Sequence, residues 1–127
     1  DCLIEAGQTK DCLAVSHEKL SGNAFLYVRI KDGDDVVSEN TFFTRYPKDY
    51  ECRRPDIKAE ALPDGEGFEL TLSTDTLIRC LYICTDNEHD DFSDNYFTLI
   101  PGFPRKVRVS TDKALENLYT TLKYQTL

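Results

Sequence analysis

Phe92-Ser93-Asp94-Asn95-Tyr96-Phe97-Thr98-Leu99-Ile100-Pro101-Gly102 is the stretch whose reading decides the fold. Ser93-Asp94-Asn95 has turn chemistry, because short polar side chains bond nearby backbone groups in turns. Tyr96 to Ile100 is strand-like, and Pro101-Gly102 ends it. The segment Pro104 to Ser110 that follows alternates, with Val107 and Val109 inward and Lys106 and Arg108 outward. The segment before it, Asp86 to Asp91, is a polar, acidic loop. The stretch is a turn and a strand inside a run of strands, and it encodes no reaction of its own.

Working outward, Asp56 to Leu62 alternates, with Ile57, Ala59 and Ala61 inward and Lys58 and Glu60 outward. Pro63 to Gly67 is a turn, and Phe68 to Thr74 alternates again, Phe68, Leu70 and Leu72 against Glu69, Thr71 and Ser73. Thr76 to Thr85 places Leu81 and Ile83 on the core side and Cys80, Tyr82 and Cys84 on the other. Thr111 to Asn117 predicts one helical turn capped by Thr111 or Asp112. Leu118 to Leu127 predicts a closing strand with Leu122, Tyr124 and Thr126 on one side. Upstream, Lys10 to His17 and Ala24 to Lys31 predict strands. Lys31 to Asp35 is a hairpin turn in which Asp-Gly supplies the positive φ, and Val36 to Phe43 returns. Tyr46 to Pro55 holds two prolines and no periodicity, so it reads as an extended linker.

Short strands separated by Gly, Pro and Asp turns predict an all-β protein, with an immunoglobulin-like β-sandwich after the linker. The three strands before it are too few to close a sandwich. They read as a partial β-meander from a second one. The expected division is residues 1–49 as the C-terminal strands of a preceding domain and 50–127 as the complete last domain.

The chain has 127 residues and a net charge of −8, which argues against nucleic acid, since tracking phosphates needs a basic surface. No apolar run approaches the roughly 20 residues that span a bilayer, so no membrane partner is expected. No signal peptide pattern is read at the start, and with Asp1 rather than Met there the expectation is a processed chain or an excised fragment, so that reading says little about compartment. Five cysteines, Cys2, Cys12, Cys52, Cys80 and Cys84, cannot all pair within one chain. On one strand Cys80 and Cys84 would lie about 13 Å apart, too far for a disulfide. No Cys-x-x-Cys pair occurs and the two histidines are isolated, so no zinc site or other cofactor is expected.

None of the 23 acidic residues is marked as half of a catalytic carboxylate pair. His17 and His89 stand beside no nucleophile elbow, so no catalytic residue is assigned. Asp86 to Asp91 with Asp94 invites a calcium reading, but the glycine and terminal glutamate of such a loop are missing. Flat rings can stack on sugars or pack against a neighbouring domain, and Tyr82, Tyr96, Phe97 and Phe103 are the candidates for either contact.

The ordered combination of Phe92 to Asn95, the aromatic pair Tyr96-Phe97, Leu99 to Gly102 and the basic–valine strand Lys106 to Val109 resembles the C-terminal region of β-mannosidases of glycoside hydrolase family 2. Ser38 to Phe43 with Pro47-Lys48 looks like the strand that ends the penultimate immunoglobulin-like domain. Pro55 to Lys58 and Gly67 to Thr74 look like the first strands of the last one, and Leu115 to Leu118 and Leu122 to Leu127 resemble the family's ending. Thr98 and Phe103 stand where an acidic residue is more usual, and Cys80 and Cys84 are not typical. The resemblance implies a non-catalytic accessory domain of an exoglycosidase that removes terminal β-mannosides. Its partners would be the catalytic barrel and other domains of the parent, with a homo-oligomer contact as a further role. The implied location is periplasmic, extracellular or lysosomal. The alternatives are a carbohydrate-binding module, an adhesive sandwich, or the tail domain of a related β-galactosidase or exo-glucosaminidase. In every case Phe92, Ser93, Asp94, Asn95, Leu99, Pro101 and Gly102 form a structural motif.

Overall fold

The computed structural model describes residues 3–22, 24–50 and 54–126. The chain divides into two compact units, Asp1–Glu51 and Cys52–Leu127. No helix among the described residues is long and apolar enough to cross a membrane.

The first unit is a two-stranded antiparallel hairpin of β1 (Phe25–Asp32) and β2 (Asp35–Phe43). Gly33 sits at the turn with φ +60°, the conformation expected of the Asp-Gly pair. The strand predicted over Lys10 to His17 is absent. That segment is irregular up to a single 3-10 turn at His17–Leu20. Leu13 is 68% exposed, so weak alternation there finds no sheet to pair with. The linker reading also needs correction, because Pro47–Asp49 forms another 3-10 turn. It delivers Tyr50, 8% exposed, against the hairpin's first residues. The Tyr50 hydroxyl accepts from the Thr44 amide at 3.1 Å and donates to the Ala24 carbonyl at 3.2 Å. Its ring meets Phe43 edge-on, with 5.6 Å between centroids.

The second unit is a sandwich of two antiparallel sheets. One runs β3 (Ile57–Asp64), β4 (Gly67–Thr74), β8 (Arg105–Ser110), β6 (Asp91–Phe92). The other runs β7 (Phe97–Leu99), β5 (Ile78–Cys84), β9 (Lys123–Gln125). The register sets Phe68 opposite Val109, Leu70 opposite Val107 and Leu70 also beside Ala61. These alternate residues share one face, which explains why alternation in the sequence finds them. From the other sheet Ile78, Leu81, Ile83, Phe97 and Leu99 meet them in one core. Leu70, Leu72, Leu81, Ile83, Leu99, Val107 and Val109 are fully buried, each contributing about 2 kcal/mol of apolar transfer.

Two elements depart from strict alternation. In β5 the register shifts between Ile78, opposite Leu99, and Leu81, opposite Phe97. Arg79 and Cys80 together face Thr98 alone, which is a β-bulge. Cys80 takes φ +48° there. Ile78 and Leu81 consequently both point inward, and Cys80 belongs to the bulge rather than to the row of Tyr82 and Cys84. The second departure is at the C-terminal end. The helix is α1 (Leu115–Thr121), later and longer than the predicted turn, and Ala114 caps it without a side-chain bond. The predicted strand from Leu118 shrinks to β9. Leu118 is fully buried, and Leu115 and Leu122 pack beside it, a helical spacing of three and four. From α1 the Tyr119 hydroxyl accepts from the Ala61 amide at 2.7 Å, so the helix covers the open edge of β3. Burial, and after it the charge of the Tyr119 phenol when ionised, pushes the Tyr124 phenol up to about 12.

Gly67 lies where β4 passes β8, and a Cβ added there would sit 2.0 Å from the Val109 carbonyl oxygen. Gly67→Ala is therefore expected to destabilise the second unit by at least about 3 kcal/mol. Gly102→Ala meets no atom within 4 Å and faces only its φ of +79°, so it costs about 1–2 kcal/mol. Urea unfolding of the two variants measures both. Equal losses would refute the close packing of β4 on β8.

Candidate functional site

The chain crosses from one sheet to the other between β6 and β7, along Ser93 to Tyr96. Each residue of this crossing is held by its chemistry. The Ser93 amide donates to the Arg108 carbonyl at 2.9 Å, and the Ser93 hydroxyl accepts from the Arg108 amide at 2.9 Å. Asp94 forms an ion pair with Arg105, whose Nε lies 3.2 Å from Oδ2. Asn95 reaches the other sheet: Oδ1 accepts from the Ile83 amide and Nδ2 donates to the Ile83 carbonyl, both at 2.8 Å. Leu81 pairs with Phe97, so the residue opposite Ile83 would be Asn95. The strand is broken there by Tyr96, which adopts φ +58°. The Asn95 amide, a peptide-like group, makes the two bonds that a strand residue would have made. The turn reading of Asp94 and Asn95 thus widens into a link between the sheets.

The four predicted contact residues separate. Tyr82 and Tyr96 come together as stacked rings, with centroids 5.0 Å apart and planes 27° apart, and Tyr96 is 64% exposed. Phe97 is in the core, with the Arg105 guanidinium 5.4 Å from its ring centre. Phe103 closes the turn after β7, where its amide donates to the Ile100 carbonyl at 3.0 Å. Pro101 and Gly102 form that turn, and Leu99 is fully buried.

Beside the crossing lies a cavity of about 530 Å³, lined by Tyr82, Cys84, Asp86, Glu88, Asp91 and Phe92 among others. The loop suggestive of calcium forms one wall, and the protein's own groups engage two of its carboxylates, Asp86 and Asp90. Asp90, whose side chain is 1% exposed, accepts from Thr85 Oγ1 at 2.5 Å and Asn87 Nδ2 at 2.9 Å. Lys113 Nζ pairs with Asp86 and approaches Asp90 at 3.4 Å. Among the described residues no group of three or more His, Cys, Asp or Glu side chains could hold a metal ion. Lys113 carried no signal in the sequence, because its partners lie more than 20 positions away.

The electrostatics of this clamp follow from its contacts. The bond from Lys113 holds Asp86 below its ordinary value. Burial pushes Asp90 up, but bonds from Thr85, Thr111 and Lys113 outweigh it and leave the carboxyl lowered. The bond to Asp86 raises Lys113. A lowered carboxyl contributes stability above its unfolded value, near 3.8, and loses it as pH falls through the folded value. A raised lysine contributes below its unfolded value, 10.5, and loses it as pH rises through the folded value.

A seven-stranded sandwich of four and three strands, stapled at the crossing between its sheets, defines an immunoglobulin-like domain. The Ig_mannosidase model, an Ig-fold domain, matches residues 52–127, and the chain belongs to that family. The fold is also similar to the crystal structure of beta-D-mannosidase from Dictyoglomus thermophilum, with a TM-score of 0.70 and 18% identity. That match covers 80% of this chain and 13% of the enzyme's, so this chain spans a small part of the enzyme's length. No curated protein matches the chain.

Two outcomes test the site. Asn95→Ala leaves the buried Ile83 amide and carbonyl without their partner and is expected to cost about 2–4 kcal/mol in chemical denaturation, whereas a loss under about 0.5 kcal/mol would refute its bridging role. Asp90→Asn should lower stability at neutral pH and match the parent protein once pH falls well below 3.8. A constant difference across that range, in thermal melts at stepped pH, would show that the Asp90 charge is not what the clamp uses.

Proposed function

We propose that the chain is a non-catalytic accessory module of a β-mannosidase-like exoglycosidase that hydrolyses terminal β-mannosides. It would support the architecture of that parent enzyme, or its oligomer contacts, by packing against the catalytic barrel and neighbouring domains. The observation that carries this reading is the Ig_mannosidase match over the whole second unit. The beta-D-mannosidase match supports it. Its 80% coverage exceeds the share of the chain in residues 52–127, so the likeness reaches into the hairpin unit.

The hairpin fits this reading as the closing strands of a preceding immunoglobulin-like domain. Its two faces differ in charge. One carries Tyr27, Arg29, Glu39 and Thr41, with Tyr27 donating to Glu39 at 2.5 Å. The other carries Leu26, Val28, Ile30, Ser38, Asn40 and Phe42, uncharged up to the Asp32–Asp35 pair beside the turn. Ile30 is 60% and Phe42 61% exposed. A lone two-stranded hairpin is marginal in water, and a face whose exposed residues include Val28, Ile30 and Phe42 is suited to cover by a second sheet. In the parent, that sheet would come from the rest of the preceding domain.

The purified chain should release no product from an aryl β-mannoside, and turnover above background would sink the non-catalytic reading. It should also self-associate through the uncovered hairpin face. Ile30→Lys with Phe42→Glu is expected to shift it toward monomer in sedimentation velocity, and an unchanged distribution would count against the covered-face reading.

A further inference from the structure

We propose that the open part of the β3 edge is an interface between two copies of this chain, which pair there as antiparallel strands about Ile57. The inference goes beyond the accessory role and does not depend on what the parent protein is. β3 is the outer strand of its sheet, and among the described residues it pairs with β4 alone. Its outward backbone groups belong to the odd-numbered residues. The Ala61 amide donates outward, to the Tyr119 hydroxyl, and Pro63 has no amide to offer. The Asp56 amide turns the other way and donates to Asp75 Oδ1, just past the end of β4, at 3.3 Å. Alternation therefore points the amides and carbonyls of Ile57 and Ala59 away from β4. Among the described residues nothing bonds them. An edge closed along one half and bare along the other is a template for a further strand.

Charge selects the occupant. Ile57, Ala59 and Ala61 pack on the core side of β3, and Arg54, Asp56, Lys58 and Glu60 are exposed. Those four alternate in sign. Elsewhere on this sheet Lys106 pairs with Glu69 and Arg108 with Asp64, whereas among the described residues these four side chains make no ion pair. Pro55 holds Arg54 extended, so the strand's phase continues to it. Pairing about Ile57 sets Lys58 opposite Asp56 of the second copy, and Glu60 opposite its Arg54. Both pairs recur across the axis, and opposite charges facing each other across strands stabilise the pairing. Pairing about Lys58 would set Lys58 opposite itself and Asp56 opposite Glu60, all like charges. Pairing about Ala59 would need the Ala61 amide that Tyr119 holds. One register satisfies both the charges and the bonds. In it the two Ile57 residues exchange amide bonds, and each Ala59 amide donates to the Pro55 carbonyl of the other copy. The contact is its own complement, so it closes on a twofold axis and stops at two chains.

The test uses the full chain carrying Ile30→Lys and Phe42→Glu, so that the hairpin face does not contribute. Sedimentation velocity is expected to show a dimer at high protein concentration, with a dissociation constant on the order of 0.1 mM that weakens as salt is raised. Lys58→Glu and Asp56→Lys should each weaken it about tenfold or more, because each sets like charges opposite one another on both sides of the axis. Mixed in equal amounts, the two variants should recover the dimer, since the mixed pairing restores opposite charges at both positions. Ala59→Pro removes an outward amide without touching the ladder to β4, and it should abolish the dimer while the urea midpoint of the second unit is kept. A chain that stays monomeric would overturn the proposal and leave the edge to a neighbouring domain. Dimerisation undiminished in both charge variants would overturn it too, as would a mixture no stronger than its components.

Discussion

The second unit depends on one amide. Between β6 and β7 the chain must leave one sheet and enter the other, and at Tyr96 it takes a left-handed turn that interrupts the ladder before β7. Ile83 lies one residue from the end of β5, the middle strand of its sheet, and is fully buried, so its backbone groups need partners. Asn95 supplies both with a single side chain. An aspartate could accept but not donate, and a serine could not span both groups. An asparagine, whose end copies a peptide group, answers both. Ser93 and Asp94 then fix the other end of the crossing to β8 through Arg108 and Arg105. Three consecutive polar residues thus couple the two sheets, while the apolar side chains on either side fill the space between them.

The same strand shows how a small irregularity directs a surface. Without the bulge at Arg79 and Cys80, Ile78 and Leu81 could not both face inward, because side chains alternate along a strand. With it, the odd-numbered Leu81 and Ile83 follow the even-numbered Ile78 into the core. The bulge costs a positive φ at a non-glycine residue. The gain is a third buried aliphatic side chain on β5 and a defined solvent row of Tyr82 and Cys84.

How much of this was legible follows from the kind of signal each element carries. Phe68, Leu70, Leu72, Val107 and Val109 lie on regular strands with one buried face, so period-two alternation reveals them directly. The helix is different. Leu115, Leu118 and Leu122 have helical spacing, yet Leu122, Tyr124 and Thr126 also alternate, and the two patterns overlap in a few residues. Only packing of Leu118 into the core and Tyr119 on the edge of β3 decides between them. Lys10 to His17 fails for the opposite reason: alternation without a neighbouring strand specifies nothing. At the crossing, the turn was visible in Ser93-Asp94-Asn95. Its partners were not, because Ile83, Arg105 and Arg108 are distant in sequence and a side chain's target is set by the register of other strands.

That difference also explains why identity and chemistry separate in this chain. Within the stretch from Phe92 to Gly102 the residues are constrained together: Ser93, Asp94 and Asn95 each meet a partner fixed by one of the sheets, and Leu99 is fully buried. Constraint of that sort produces a recognisable sequence without any reaction. A crossing held in this way fixes the register of both sheets, and the surface beside it follows from that register rather than from the crossing's own side chains.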